Sequence, residues 1–220
     1  VQRGLDFLLE TQNANGSWGS ATRTKGLNIY APVPGAHQAF RAAVTSLCLS
    51  ALIESGDDRD AAQAAVQRGW LWLTRHLPRV RRAEPDAIYN VWAHAYAMEA
   101  LVDLYHLRSQ ASDRKTQFQR LIRTQVDRLQ RYESVDGGWG YYDFRAMTQR
   151  PTSNPNSFTT ATVLVALHRA QGIGIEVPEK MVQRAIDCIL RQQKPDFTYL
   201  YSDNGPIFKS PMRSINRPGG

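Results

Sequence analysis

Three stretches of this chain open almost alike: Val1-Gln2-Arg3-Gly4, Val66-Gln67-Arg68-Gly69 and Val182-Gln183-Arg184-Ala185. The first and last stay in step afterwards, with Leu5, Leu8 and Leu9 answering to Ile186, Ile189 and Leu190, and Gln12 to Gln193. With Val1, those apolar positions fall at i, i+4, i+7 and i+8, the stripe of a helix that buries one face. A degenerate copy supplies Ile122, Val126 and Leu129. The copies recur about every 60 residues, room for two helices and their loops. One such unit cannot bury its apolar face alone, so the repeat predicts a stack of helix pairs.

A chain-reversal signal follows two of the copies: Asn15-Gly16-Ser17-Trp18-Gly19 and Asp136-Gly137-Gly138-Trp139-Gly140. Glycine accepts positive φ without steric cost, so Asn-Gly and Asp-Gly mark turns. A helix ending there frees its last carbonyls, which a nearby glutamine amide such as that of Gln12 can satisfy, while the tryptophan ring covers the helix end. The last copy weakens the signal to Asp196-Phe197-Thr198-Tyr199.

Between the copies lie helices of another character: Ala36 to Glu54, Tyr89 to Leu107 and Asn156 to Gln171. Each is rich in Ala, Ser and Thr. A helix small and apolar around most of its circumference is buried on several sides. The order therefore reads outer, inner, outer, inner, outer, inner, outer, seven helices in an all-α fold. The 220 residues suffice for one core and read as a single domain over 1–220. Val1 already lies within a helical pattern, which reads as a fragment of a longer chain.

The net charge of +7 rests largely on arginine, with clusters at Arg79/Arg81/Arg82 and Arg120/Arg123/Arg128/Arg131. The aromatics sit within the repeats rather than among these basic residues, and no nucleic-acid-binding motif is present, so nucleic acid is not an expected partner. A solvated basic face is the expectation, with peripheral contact to an anionic membrane as the other reading. Cys48 and Cys188 stand among apolar neighbours at helical spacing and read as buried thiols, which leaves the compartment open.

The stretch from Arg3 to Trp18 resembles the QW motif of squalene and oxidosqualene cyclases, through Arg3, Gly4, Phe7, Leu8, Gln12, Gly16 and Trp18. Gly137 and Trp139 keep the second half of that motif with Glu133 at the glutamine position, and the last copy keeps Gln193 with Tyr199 in place of tryptophan. The resemblance covers nearly the whole chain. It implies the α/α toroid shared by these cyclases and the prenyltransferase β subunits. In that fold inner and outer helices enclose a cavity in which relatives process isoprenoids. Seven helices make part of a closed ring of twelve, so the remainder of the toroid or a protein partner is expected against an open arc.

Where this chain follows its relatives, inner-helix N-termini and the loops before them line the cavity. That nominates His37, Phe40 and Arg41, then Tyr89, Trp92 and His94, then Phe158 and Thr159. Tyr30, Tyr141, Tyr142 and Asp143 would close over it. Aromatic walls suit an apolar, isoprenoid-type small molecule. Each ring also reads as a side chain filling space between helix layers.

The catalytic signatures of the family are not present here. No Asp-x-Asp-Asp occurs, and Asp57-Asp58-Arg59-Asp60 reads as a helix start capped by Asp58 or Asp60. Asp187-Cys188 and the five histidines lack metal-ligand spacing, so no metal or cofactor is expected. Two other readings stay open. One is a carbohydrate-active α/α-barrel lyase or hydrolase using Asp86, Asp143 and Asp203. The other is a non-catalytic scaffold binding a protein on its concave face.

Overall fold

The computed structural model describes residues 1–20, 34–82, 88–108, 112–143, 151 and 155–202. Seven α-helices occupy these residues: α1 (Gln2–Glu10), α2 (Pro34–Glu54), α3 (Asp60–His76), α4 (Asn90–Arg108), α5 (Ser112–Tyr132), α6 (Ser157–Gly172) and α7 (Glu179–Gln192). A 3-10 turn, Leu77–Arg79, extends α3. Among the described residues the only β pairing is two isolated bridges, Asn156 with Ser202 and Gln193 with Tyr199. Tyr30, Asp86 and Asp203 lie outside the described residues.

Two layers result. In the inner layer α4 lies between α2 and α6, while α3, α5 and α7 cover α2, α4 and α6 from outside. Composition explains the assignment. Inner helix α4 is buried along most of its circumference, with Ala93, Ala95, Ala97, Met98, Ala100 and Leu101 all fully enclosed. The outer helices carry a single apolar face: on α5, Phe118, Ile122 and Leu129 are enclosed while Arg120, Arg123 and Arg131 face solvent. Cys48 and Cys188 are both buried thiols, and burial pushes Cys48 up to about 11.

The start of α3 departs from the expected capping. Arg59 is the N-cap residue and Asp60 the first helical one, and neither Asp58 nor Asp60 makes a side-chain cap bond. Asp57 does the local work instead. Its carboxylate accepts the Arg59 backbone N–H at 3.1 Å and the guanidinium at 2.6–3.0 Å. The same guanidinium reaches Asp6 on α1 at 2.8 Å. These bonds hold the carboxyls of both Asp57 and Asp6 below their usual range.

Candidate functional site

The corners after the outer helices position everything near the inner-helix N-termini. The corner after α1 closes with Asn13 N–H on the Ser17 carbonyl at 2.9 Å and Gly16 N–H on the Asn13 carbonyl at 2.8 Å. The corner after α5 repeats this from Ser134 to Gly138, and that after α7 from Lys194 to Thr198. Trp18 and Trp139 are almost fully buried. Their indole N–H groups donate to the carbonyls of Leu8 and Leu129, at 2.7 and 2.8 Å, so the tryptophans cap the helix ends. Each backbone N–H after the glycine turn donates at 3.0 Å to an inner-helix threonine, Trp18 to Thr45 and Trp139 to Thr160.

The glutamine has a different task from the one its sequence position suggests. Gln12 Nε2 donates at 2.9 Å to the Gly16 carbonyl within the corner and to the Ala65 carbonyl on α3, and Oε1 accepts from Arg68. It bridges corner to neighbouring helix instead of satisfying the end of its own. Glu133 takes the equivalent place, paired with Arg184 of α7 at 3.0 Å. Gly16 and Gly137 adopt φ of +90° and +92°, and a Cβ there would lie 2.5 Å from the carbonyl oxygens of Arg68 and Arg184. The glycine is required twice over, by conformation and by close approach. Phe197 holds the equivalent left-handed φ of 65° with its ring largely in solvent, and Gln193 Nε2 reaches the Tyr199 hydroxyl at 3.3 Å.

Beyond these corners the aromatic side chains gather. Phe40 of α2 lies 5.0 Å (centroid to centroid) from Tyr89 and 6.3 Å from Trp92 of α4. Trp92 stacks on Tyr141 at 4.8 Å, and Tyr141 is 4.7 Å from Tyr142 and 6.1 Å from Phe158 of α6. Phe158 in turn meets Tyr201 at 5.2 Å. The hydroxyls pair: Tyr89 donates to Tyr142 at 2.8 Å, and Tyr141 bonds to Tyr201. Ile88 N–H donates to the Tyr141 carbonyl at 3.0 Å, tying the corner loop to the start of α4. The shell thus draws on three inner helices and the loop after the α5 corner. Tyr201 is its member outside the nominated set; it carries no motif signal, and only the pairing of Asn156 with Ser202 brings it here.

On α4, Trp92, Tyr96 and Glu99 retain exposure at i, i+4 and i+7, so they mark the face turned away from α5. That face runs from the aromatic shell to an ionic end, where Arg169 of α6 pairs with Asp103 and lies 3.7 Å from both Glu54 of α2 and Glu99. Ser50 donates to Asp103 at 2.6 Å. Burial raises the Glu99 carboxyl above its usual range.

Three nominated residues are not on this face. His94 is fully enclosed between α4 and α5, with Nδ1 at 2.9 Å from Gln125 Oε1. Gln125 donates its amide to the Leu121 carbonyl, which fixes Oε1 as acceptor, so His94 Nδ1 carries the proton. Burial lowers this imidazole to about 4, and it stays neutral. Thr159 is enclosed, its hydroxyl without a partner. Asp143 is enclosed and ion-paired with Arg82 at 3.4 Å, so it offers no carboxylate to a cleft. His37 and Arg41 are half-buried one turn apart on α2, where burial and then the Arg41 charge lower His37.

Among the described residues no group of three or more His, Cys, Asp or Glu converges as metal ligands. An open groove of about 810 Å³ lies on the outer layer between α5 and α7, lined by charged side chains including Asp127, Glu179 and Lys180. Its charged lining residues and its place on the outer helices set it apart from the aromatic shell. No described helix is long and apolar enough to cross a membrane.

Residues 1–205 match the family model described as the squalene-hopene cyclase C-terminal domain. The chain belongs to that family. No curated protein matches it. As a squalene-hopene cyclase C-terminal domain it is a terpenoid-cyclase-type helical toroid, and the two-layer arrangement of its described helices agrees with that fold.

Proposed function

We propose that the concave face binds an isoprenoid-type apolar ligand, with the aromatic shell as its recognition element. The observation that carries this reading is the convergence of Phe40, Tyr89, Trp92, Tyr141 and Phe158 from three successive inner helices and the loop after the α5 corner, most of them still partly exposed. Ring faces present polarisable apolar surface and a negative quadrupole, which suits polyenes. The ionic end around Arg169 would bound the apolar run.

A titration with farnesol followed by tryptophan fluorescence tests it. Of the five tryptophans, Trp18, Trp70, Trp72 and Trp139 are buried, and Trp92 alone retains exposure. The expected result is a saturable change that Trp92→Phe abolishes, with Phe158→Ala weakening binding about fivefold, or ~1 kcal/mol. No saturable change would sink the proposal, and binding unaffected by Phe158→Ala would move the ligand elsewhere.

A further inference from the structure

On the side of α4 turned away from Trp92, two polar side chains are buried one turn apart. Asn90 is 1% exposed and His94 is fully enclosed, where the positions that follow on that face are Ala97, Met98 and Leu101. Residues four apart share one face of a helix, so both side chains project together towards the outer layer. His94 gives Nδ1 to Gln125 of α5, at 2.9 Å, and its ring stacks 6.2 Å from that of Tyr132. Three atoms are left over. Asn90 Nδ2, Asn90 Oδ1 and His94 Nε2 are all enclosed, and none has a hydrogen-bond partner among the described residues. Turning the amide or the ring over exchanges the atoms and leaves as many without partners.

Enclosed polar atoms that have given up their bonds to solvent are costly, and three on one helix face would offset much of a domain's net stability. A lone enclosed hydroxyl, as at Thr159, offers a water one partner, whereas Asn90 and His94 together offer three. We propose that Asn90 and His94 hold a buried water molecule between α4 and α5. The bonding balances. The water donates one hydrogen to His94 Nε2 and the other to Asn90 Oδ1, and its oxygen accepts from Asn90 Nδ2. Three bonds are the usual complement of an internal water. Burial, and after it the Arg128 charge, keep the imidazole neutral, so Nε2 retains the lone pair that the water needs. A metal ion fits less well, since it cannot accept the hydrogen bond that Nδ2 has to give. Through His94 and Gln125, whose amide reaches the Leu121 carbonyl at 3.0 Å, the water fastens the first turn of α4 to α5. The site lies behind α4 and the aromatic shell before it, so either proposal can fail alone.

A high-resolution crystal structure of this chain tests the site directly. The expected result is one ordered water within about 2.6–3.2 Å of both His94 Nε2 and the Asn90 amide. Its absence, or a metal ion bonded to Nε2, would overturn the proposal. A second readout is urea unfolding of Asn90→Leu in two backgrounds. In the parent chain this change leaves the water short of partners and should raise the unfolding constant about fivefold. In a chain already carrying His94→Leu it removes the last atoms the water serves, and should leave the constant unchanged or lower it. Gln125 loses the same bond in both His94→Leu chains, so that loss cancels from the comparison. Equal effects of Asn90→Leu in the two backgrounds would overturn the proposal.

Discussion

His94 shows how one enclosed side chain sets a pH dependence. With its imidazole near 4 in the fold and 6.5 as the ordinary value, the unfolded chain takes up the proton first as pH falls. Its contribution is fully present above pH 6.5 and is lost as pH drops from 6.5 towards 4, amounting to roughly 3 kcal/mol at the lower end. Urea unfolding at pH 7.5 and pH 4.5 should show this loss, and His94→Gln should lose less between those two values than the parent chain. The buried depth of His94 was not readable from sequence. A helix apolar around its whole girth gives no signal of which side faces the outer layer.

At the scale of the element, the corner is a set of hydrogen bonds among residues far apart in sequence. Thr160 accepts the Trp139 N–H at 3.0 Å and donates to the Trp139 carbonyl at 3.2 Å. Its neighbour Thr159 has an enclosed hydroxyl without a partner. Thr160→Val should therefore cost about 2 kcal/mol, since it strands a buried N–H, while Thr159→Val should be neutral or stabilising. Thermal unfolding of the two variants checks the opposite signs. Adjacent threonines look alike in sequence, and only the corner's position separates them. The helix limits were more legible: an Ala-, Ser- and Thr-rich run read as 36–54 is observed as Pro34–Glu54, and one read as 89–107 as Asn90–Arg108. Tryptophan, too, could be read locally, because Trp18 and Trp139 cap helices only ten residues away. Gln12 could not, because its second acceptor, Ala65, lies 53 residues on.

At the scale of the whole molecule, Arg169 ties the three inner helices together. Arg169 faces Glu54, Glu99 and Asp103, so three inner helices share a single positive charge. Arg169→Met would leave three carboxylates facing one another. It should destabilise the protein by about 3 kcal/mol at pH 7, as loss of one partner from a buried pair does. The deficit should shrink below pH 4, because an uncompensated carboxylate costs only while it is ionised. Urea midpoints at the two pH values measure it.

The outer layer is fastened unevenly. Glycine-tryptophan corners bind α1 to α3 and α5 to α7, but α3 runs on into its 3-10 turn, and among the described residues no such latch reaches α5. Among the described residues that seam is crossed by the Trp70 and Phe118 rings, 5.3 Å apart, and by long bonds from Arg128 to the carbonyls of Val80 and Pro78, at 3.4 and 3.5 Å. Strain on the arc would therefore concentrate at one line. The shell would part there into two clasped halves, hinged on the tight packing of α2 against α4 beneath.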